Sequence, residues 1–257
     1  MQRQLKPLLL AGIIAVAVLL HGCGGGGGGG TSSGGVDGGS VGTANTAIIR
    51  SSPYPNIVIE ADYYPGSQPE AGVLTFLKNH LTAVTGKASV SISPEGTAIT
   101  SPASKTRYSQ SDIFAIEAAN RGTHTSGDTV SLYLLFLNAP YASDTGPKPY
   151  TVGLSYEATG YACFQSVLST NAGAVGQPDS LLNLEESDVI HEIGHLMGLV
   201  NLGTPMVTSH QDPAHAYHCT NPDCAMYFSL MDVTRTPPLY PNLTYDANCL
   251  ADINAAK

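Results

Sequence analysis

Positive charge is scarce in this chain: 11 Lys and Arg stand against 20 Asp and Glu, a formal charge of −9 over 257 residues. Such a surface repels phosphate backbones, which excludes nucleic acid as a partner. No run of like charge is long enough to read as an interaction tail, and no segment repeats. Long apolar stretches are also missing. The only candidate, LLLAGIIAVAVLL at residues 8–20, is too short to span a bilayer comfortably. Only five cysteines are present, and nothing in the sequence reads as a propeptide carrying a switch cysteine.

The short apolar run has a different use. Arg3 and Lys6 precede it and LLHGC follows, with Gly22 immediately before Cys23. This is the order of an export signal, and its end is similar to the lipobox of exported bacterial lipoproteins, in which the cysteine is cleaved free and acylated. Several acyl chains on Cys23 would anchor the protein firmly, and Gly24 is similar to an outer-membrane sorting signal. The expected location is the outer membrane, cell surface or periplasm. GGGGGGGTSSGGVDGGSVG at residues 24–42 has almost no side chains to bury and reads as a tether. The expected organisation is a signal segment at 1–22, a tether at 23–46 and one folded domain at 47–257.

Within that domain NIVIEADYY (56–64) reads as a strand closed by Pro65-Gly66, and Val73, Leu74, Leu77, Leu81 and Val84 recur at helical spacing across 70–86. A strand at 88–94, a helix at 111–122 opening on Ser111-Asp112, and a strongly apolar strand at 129–139 follow. Residues 151–164 supply one or two edge strands, and a buried helix is expected at 180–197, capped by Ser180 or Ser187 and left through Gly198. This order of elements implies an α/β (α+β) fold, a mixed sheet with helices packed on it.

The chemistry is concentrated in VIHEIGHLMGLVNLG, residues 189–203, since five of the eight histidines fall between 191 and 218. Four residues apart on a helix, His191 and His195 present both imidazoles on one face, where they can share a metal ion. Glu192 is rotated about 100° from His191, beside the ion without being a ligand, where it can accept a proton and later deliver it to a leaving amine. Two histidines are one ligand too few for a catalytic zinc.

HEIGHLMGL, residues 191–199, resembles the metzincin metallopeptidases, whose signature is HExxHxxGxxH followed by a methionine turn. The third histidine of that pattern falls on Asn201. Further on, HCTNPDCAMYFS at 218–229 is similar to the HCxxxxCxMxxS segment of archaemetzincins, with His218, Cys219, Cys224, Met226 and Ser229 in register. This resemblance implies a metzincin-like fold with an irregular C-terminal subdomain. It also implies His218 as third zinc ligand and Met226 as an apolar floor under the metal. The departure is an insertion, residues 200–217, which returns the chain at modest entropic cost. It carries the rival ligands His210, Asp212 and His215. Tyr227 and Tyr240 are within reach of a reacting group or are ordinary packing.

In an exported protein Cys163, Cys219, Cys224 and Cys249 are expected to form two disulfides. Cys219–Cys224 would close a short loop and Cys163–Cys249 would tie the sheet to the carboxyl end. A second, structural zinc is the lesser alternative, since archaemetzincins build theirs with a later CxxC that this chain lacks. The expected activity is that of a lipid-anchored, monomeric zinc endopeptidase acting on proteins or peptides. Two other functions compete: a surface-binding lipoprotein that keeps the fold without catalysis, and hydrolysis of a cell-wall amide.

Overall fold

The computed structural model describes residues 35–94, 96–145, 150–175, 180–229 and 244–257. Cys23, the signal segment, the first part of the tether and Tyr240 lie outside the described residues. The elements are α1 (Asn45–Ile49), β1 (Asn56–Tyr63), α2 (Val73–Val84), β2 (Ser89–Ile92), β3 (Thr97–Ala98) and α3 (Gln110–Asn120), then β4 (Thr129–Leu137), β5 (Gly153–Ser155), β6 (Gly160–Phe164), α4 (Gln165–Val175), α5 (Ser180–Leu196) and α6 (Ala247–Ala256). This is a mixed α/β fold. The sheet runs β2-β1-β4-β6-β5, with β3 also paired to β1. Every pairing is parallel except that of β5, which lies antiparallel on β6 at the edge, Ser155 opposite Tyr161.

β4 is the centre of the sheet because its residues are apolar on both faces. From Val130 to Leu137 each one is buried, as befits a strand covered on both sides. α2 turns Val73, Leu74, Leu77 and Leu81 inward and packs against α5, while α5 in turn lies on β5 and β6. α3 starts at Gln110, one residue before the expected Ser111. Ser109 is its N-cap and forms a capping box with Asp112, each side chain bonded to the other residue's backbone N–H. Among the described residues no helix is long and apolar enough to cross a membrane.

The folded part begins earlier than composition suggests. Residues 37–46, read above as the end of a tether, form a strap packed on the domain. Val41 and Ala44 are buried. Asp37 accepts hydrogen bonds from the Thr125 N–H (2.9 Å) and hydroxyl. The Ala158 N–H donates to Gly39 O at 2.8 Å, and Asn45 Nδ2 donates to Thr204 Oγ1 at 3.2 Å. Gly42, at φ +82°, approaches so closely that a Cβ there would lie 2.5 Å from Leu202 O. The strap therefore braces the turn through which the chain leaves α5.

Candidate metal centre

α5 is buried around most of its circumference, with Val189, Ile190, Ile193 and Leu196 fully inside. It ends where Gly198 takes φ +70° and donates its N–H to His195 O. Val200 and Asn201 continue in the left-handed region at φ 52° and 65°, which is costly for a β-branched residue. The reversal leaves Asn201 exposed, so the position where the resemblance would first seek a third histidine supplies no ligand.

His218 lies with the two helix histidines instead. The ring centroids of His191, His195 and His218 stand 4.7, 5.2 and 5.1 Å apart, a nearly equilateral group. All three are buried, and one ligand atom from each lies within 4.8 Å of the others. His191 Nδ1 donates to Ala225 O at 2.6 Å and His218 Nδ1 to Ala216 O at 2.9 Å, which turns both Nε2 atoms inward. His191 and His195 Nε2 are 3.0 Å apart. His218 Nε2 is buried without a hydrogen-bond partner among the described residues. Burial holds His191 near a pKa of about 3 and His218 near about 4, and pushes His195 well down as well, with the neighbouring imidazoles adding to the effect at His191 and His195. These are neutral imidazoles with converging lone pairs, a donor set that fits a zinc ion.

The excursion that returns His218 is a tight one. Asp212 N–H donates to His218 O at 2.7 Å, His218 N–H to His215 O at 3.2 Å and Thr220 N–H to His210 O at 2.9 Å. The rival ligands are engaged elsewhere. His215 donates from Nδ1 to Asp212 Oδ2 at 2.8 Å and stacks on Phe228 with centroids 3.6 Å apart. His210 faces away, with Nε2 3.5 Å from Cys249 Sγ. Met226 is fully buried, and a Cβ on Gly194 would stand 2.2 Å from its sulfur. The glycine of HEIGH is therefore required for this methionine to seat against the helix, a signal that was open to reading from the sequence.

Glu192 is fully buried beside His191. Its Oε2 accepts from the Ser155 N–H (2.6 Å) and lies 2.7 Å from Ser155 Oγ, while Oε1 has no partner among the described residues. Burial, with Asp188 one turn earlier adding like charge, raises its pKa well above the ordinary carboxylate range. Asp188, bonded at 2.5 Å by the Tyr161 hydroxyl, is raised to about 7 by burial. Sequence reasoning missed Ser155, Asp188 and Tyr161.

The cysteines do not pair as expected. All four are free. Cys163 lies in β6 and donates to Gln165 Oε1 at 3.4 Å. It is not joined to Cys249, which sits 3.6 Å from Cys224, sulfur to sulfur. Cys219 and Cys224 are likewise not closed into a loop of their own. Instead Cys219, Cys224 and Cys249 gather with Asp246, all four ligand atoms within 4.8 Å of one another. Asp246 caps α6, accepting the Cys249 N–H on Oδ1 at 3.0 Å and the Asn221 amide on Oδ2 at 2.9 Å. Hydrogen bonds from Cys224 and Cys249 push the Cys219 thiol down to about 2. Three sulfurs and a carboxylate fit a closed tetrahedral zinc site.

No family model matches this chain. No curated protein matches it either. Among solved structures 18 chains match, and one is the crystal structure of archaemetzincin from Methanopyrus kandleri. The two are 16% identical at a TM-score of 0.48, over 79% of this chain and 96% of that one.

Proposed function

We propose that this protein is a zinc-dependent endopeptidase that cleaves protein or peptide substrates as a monomer outside the cytoplasm, anchored to a membrane through lipid on Cys23. The observation that carries the reading is the convergence of three neutral, buried imidazoles, with Glu192 buried next to His191 on the same helix. His191, His195 and His218 would hold the ion through Nε2. Zinc, when bound, supplies a Lewis acid that polarises a carbonyl and makes water acidic near neutral pH. Glu192 Oε1, the carboxylate oxygen without a partner among the described residues, receives the proton of the attacking water and hands it to the leaving nitrogen. No covalent acyl-enzyme is required.

A second zinc, on Cys219, Cys224, Asp246 and Cys249, belongs to the same reading. It takes the place of the expected disulfides. Because Cys219 directly follows His218 and its N–H donates to Met226 O at 2.7 Å, an ion there would stiffen the strip that presents the third imidazole.

The test is digestion of unfolded casein by the purified protein, with and without a chelator, beside Glu192→Ala. The wild type should cleave and the chelator should stop it. Glu192→Ala should retain its zinc and lose about 100- to 10,000-fold in rate. Cleavage that survives both treatments would sink the proposal, and zinc retention without any cleavage would leave the non-catalytic binding lipoprotein.

A further inference from the structure

β5 and α5 meet along a dry seam, and two different periodicities match there. On a strand, residues two apart share a face at a spacing of about 6.8 Å. On a helix, residues four apart are neighbours separated by about 6 Å along the axis. Gly153 and Ser155 therefore face Asp188 and Glu192 in step. At the first step a Cβ on Gly153 would lie 2.3 Å from Asp188 Oδ1, so glycine permits the close approach. At the second, the Ser155 N–H and hydroxyl both reach Glu192 Oε2, at 2.6 and 2.7 Å. The hydroxyl also lies 2.9 Å from Glu192 O, so its single proton is divided between that carbonyl and Oε2. Ser155 and Glu192 are both fully buried, and Glu192 Oε1 is left unpartnered among the described residues.

We infer that Ser155 is a positioning residue for Glu192. It grips one carboxylate oxygen so that the other is the atom presented for proton transfer. This rests on the hydrolase reading above. A carboxylate on a bare helix turn would sample several rotamers; two donors on Oε2 leave one. Gly153 contributes by letting the strand come close enough for those bonds to form.

The experiment compares zinc-loaded wild type, Ser155→Ala and Ser155→Cys for kcat, KM, zinc content and thermal unfolding. Cysteine keeps the size of serine and donates weakly, so it carries the test if alanine does not fold. Misplacing a reacting group by an ångström or less costs up to about 100-fold. The expectation is kcat in the order Ser, Cys, Ala, falling about 10- to 100-fold at Ala, with KM within about twofold and zinc content unchanged. Crystals of the metal-free proteins should show Glu192 in its present rotamer in the wild type and displaced in Ser155→Ala. An active wild type beside an equally active Ser155→Ala would overturn the role of Ser155 alone, as would a loss of activity that merely follows lost zinc. A zinc-loaded wild type with no chelator-sensitive cleavage would sink the hydrolase reading, and the role of Ser155 with it.

Discussion

The peptide bond between His218 and Cys219 divides two groups of side chains that could each hold a metal ion. On one side His191, His195 and His218 offer three neutral nitrogens, and Glu192, next to His191 on the same helix, has one carboxylate oxygen without a partner among the described residues. On the other Cys219, Cys224, Asp246 and Cys249 offer four ligand atoms, three sulfurs and a carboxylate oxygen, within 4.8 Å of one another. Under the proposed function the first set would leave a coordination position open and the second would close it, the difference between a zinc site that reacts and one that holds structure. Their supports differ too. Two of the three imidazoles ride on one buried helix, whereas the thiol group joins a loop to the N-cap of α6. The lesson is that one short strip, residues 218–226, contributes to both groups, so an ion in the second would act on the first through the backbone.

The largest effect should come from breaking the imidazole group. His218→Ala is expected to lose one zinc equivalent and to bring casein cleavage to background, while His210→Ala and His215→Ala retain that equivalent and the activity. Metal analysis of the three variants decides it, and zinc retention by His218→Ala would remove His218 from the site. A smaller effect tests whether the two groups are separable. Cys249→Ser should lose the other zinc equivalent and about 3 kcal/mol of stability, a fall of about 6–12 °C in Tm for a domain of this size. It should keep cleavage at 25 °C within about tenfold of the wild type. Loss of both equivalents would mean that the sites fold as one, and loss of neither would mean that the thiols hold no metal.

Much of this was legible in the sequence, and what was not has physical reasons. The apolar run of β4, the face of α2 and the helix bearing HEIGH follow from patterns of buried side chains, and α5 ends at Leu196 as the glycine after Met197 suggests. His218 was readable because its neighbours Cys219, Cys224 and Met226 fix a register. The strap at 37–46 was not, since Gly39 and Gly42 are held by backbone contacts and composition records only side chains. The cysteine arrangement failed for another reason. Connectivity is decided by which elements meet, and Asp246 stands three residues before Cys249 where a CxxC was sought. Ser155 escaped because nothing in its own strand shows which turn of which helix will face it.

The smallest effect lies at the seam between the two groups. Tyr245 precedes Asp246, donates its hydroxyl to Ile190 O on the metal-binding helix at 2.6 Å, and meets the ring of His80 edge-on at 5.0 Å. His80 Nε2 is buried without a hydrogen-bond partner among the described residues, and burial lowers its pKa from 6.5 to about 4. The unfolded chain therefore takes up this proton at a higher pH than the folded one. Stability tied to neutral His80 is complete above pH 6.5 and drains away as the pH falls towards about 4. Each pH unit in that window is worth at most about 1.4 kcal/mol, so roughly 2 kcal/mol is at stake by about pH 5. Denaturant unfolding of the zinc-loaded wild type and His80→Leu at about pH 7 and pH 5 isolates the contribution, because every other titrating group is common to both. The wild type should lose more stability on acidification than the variant. Equal losses would mean that the ring is charged or solvated in the folded protein, and that the wall between the two groups is wetter than the packing of Tyr245 implies.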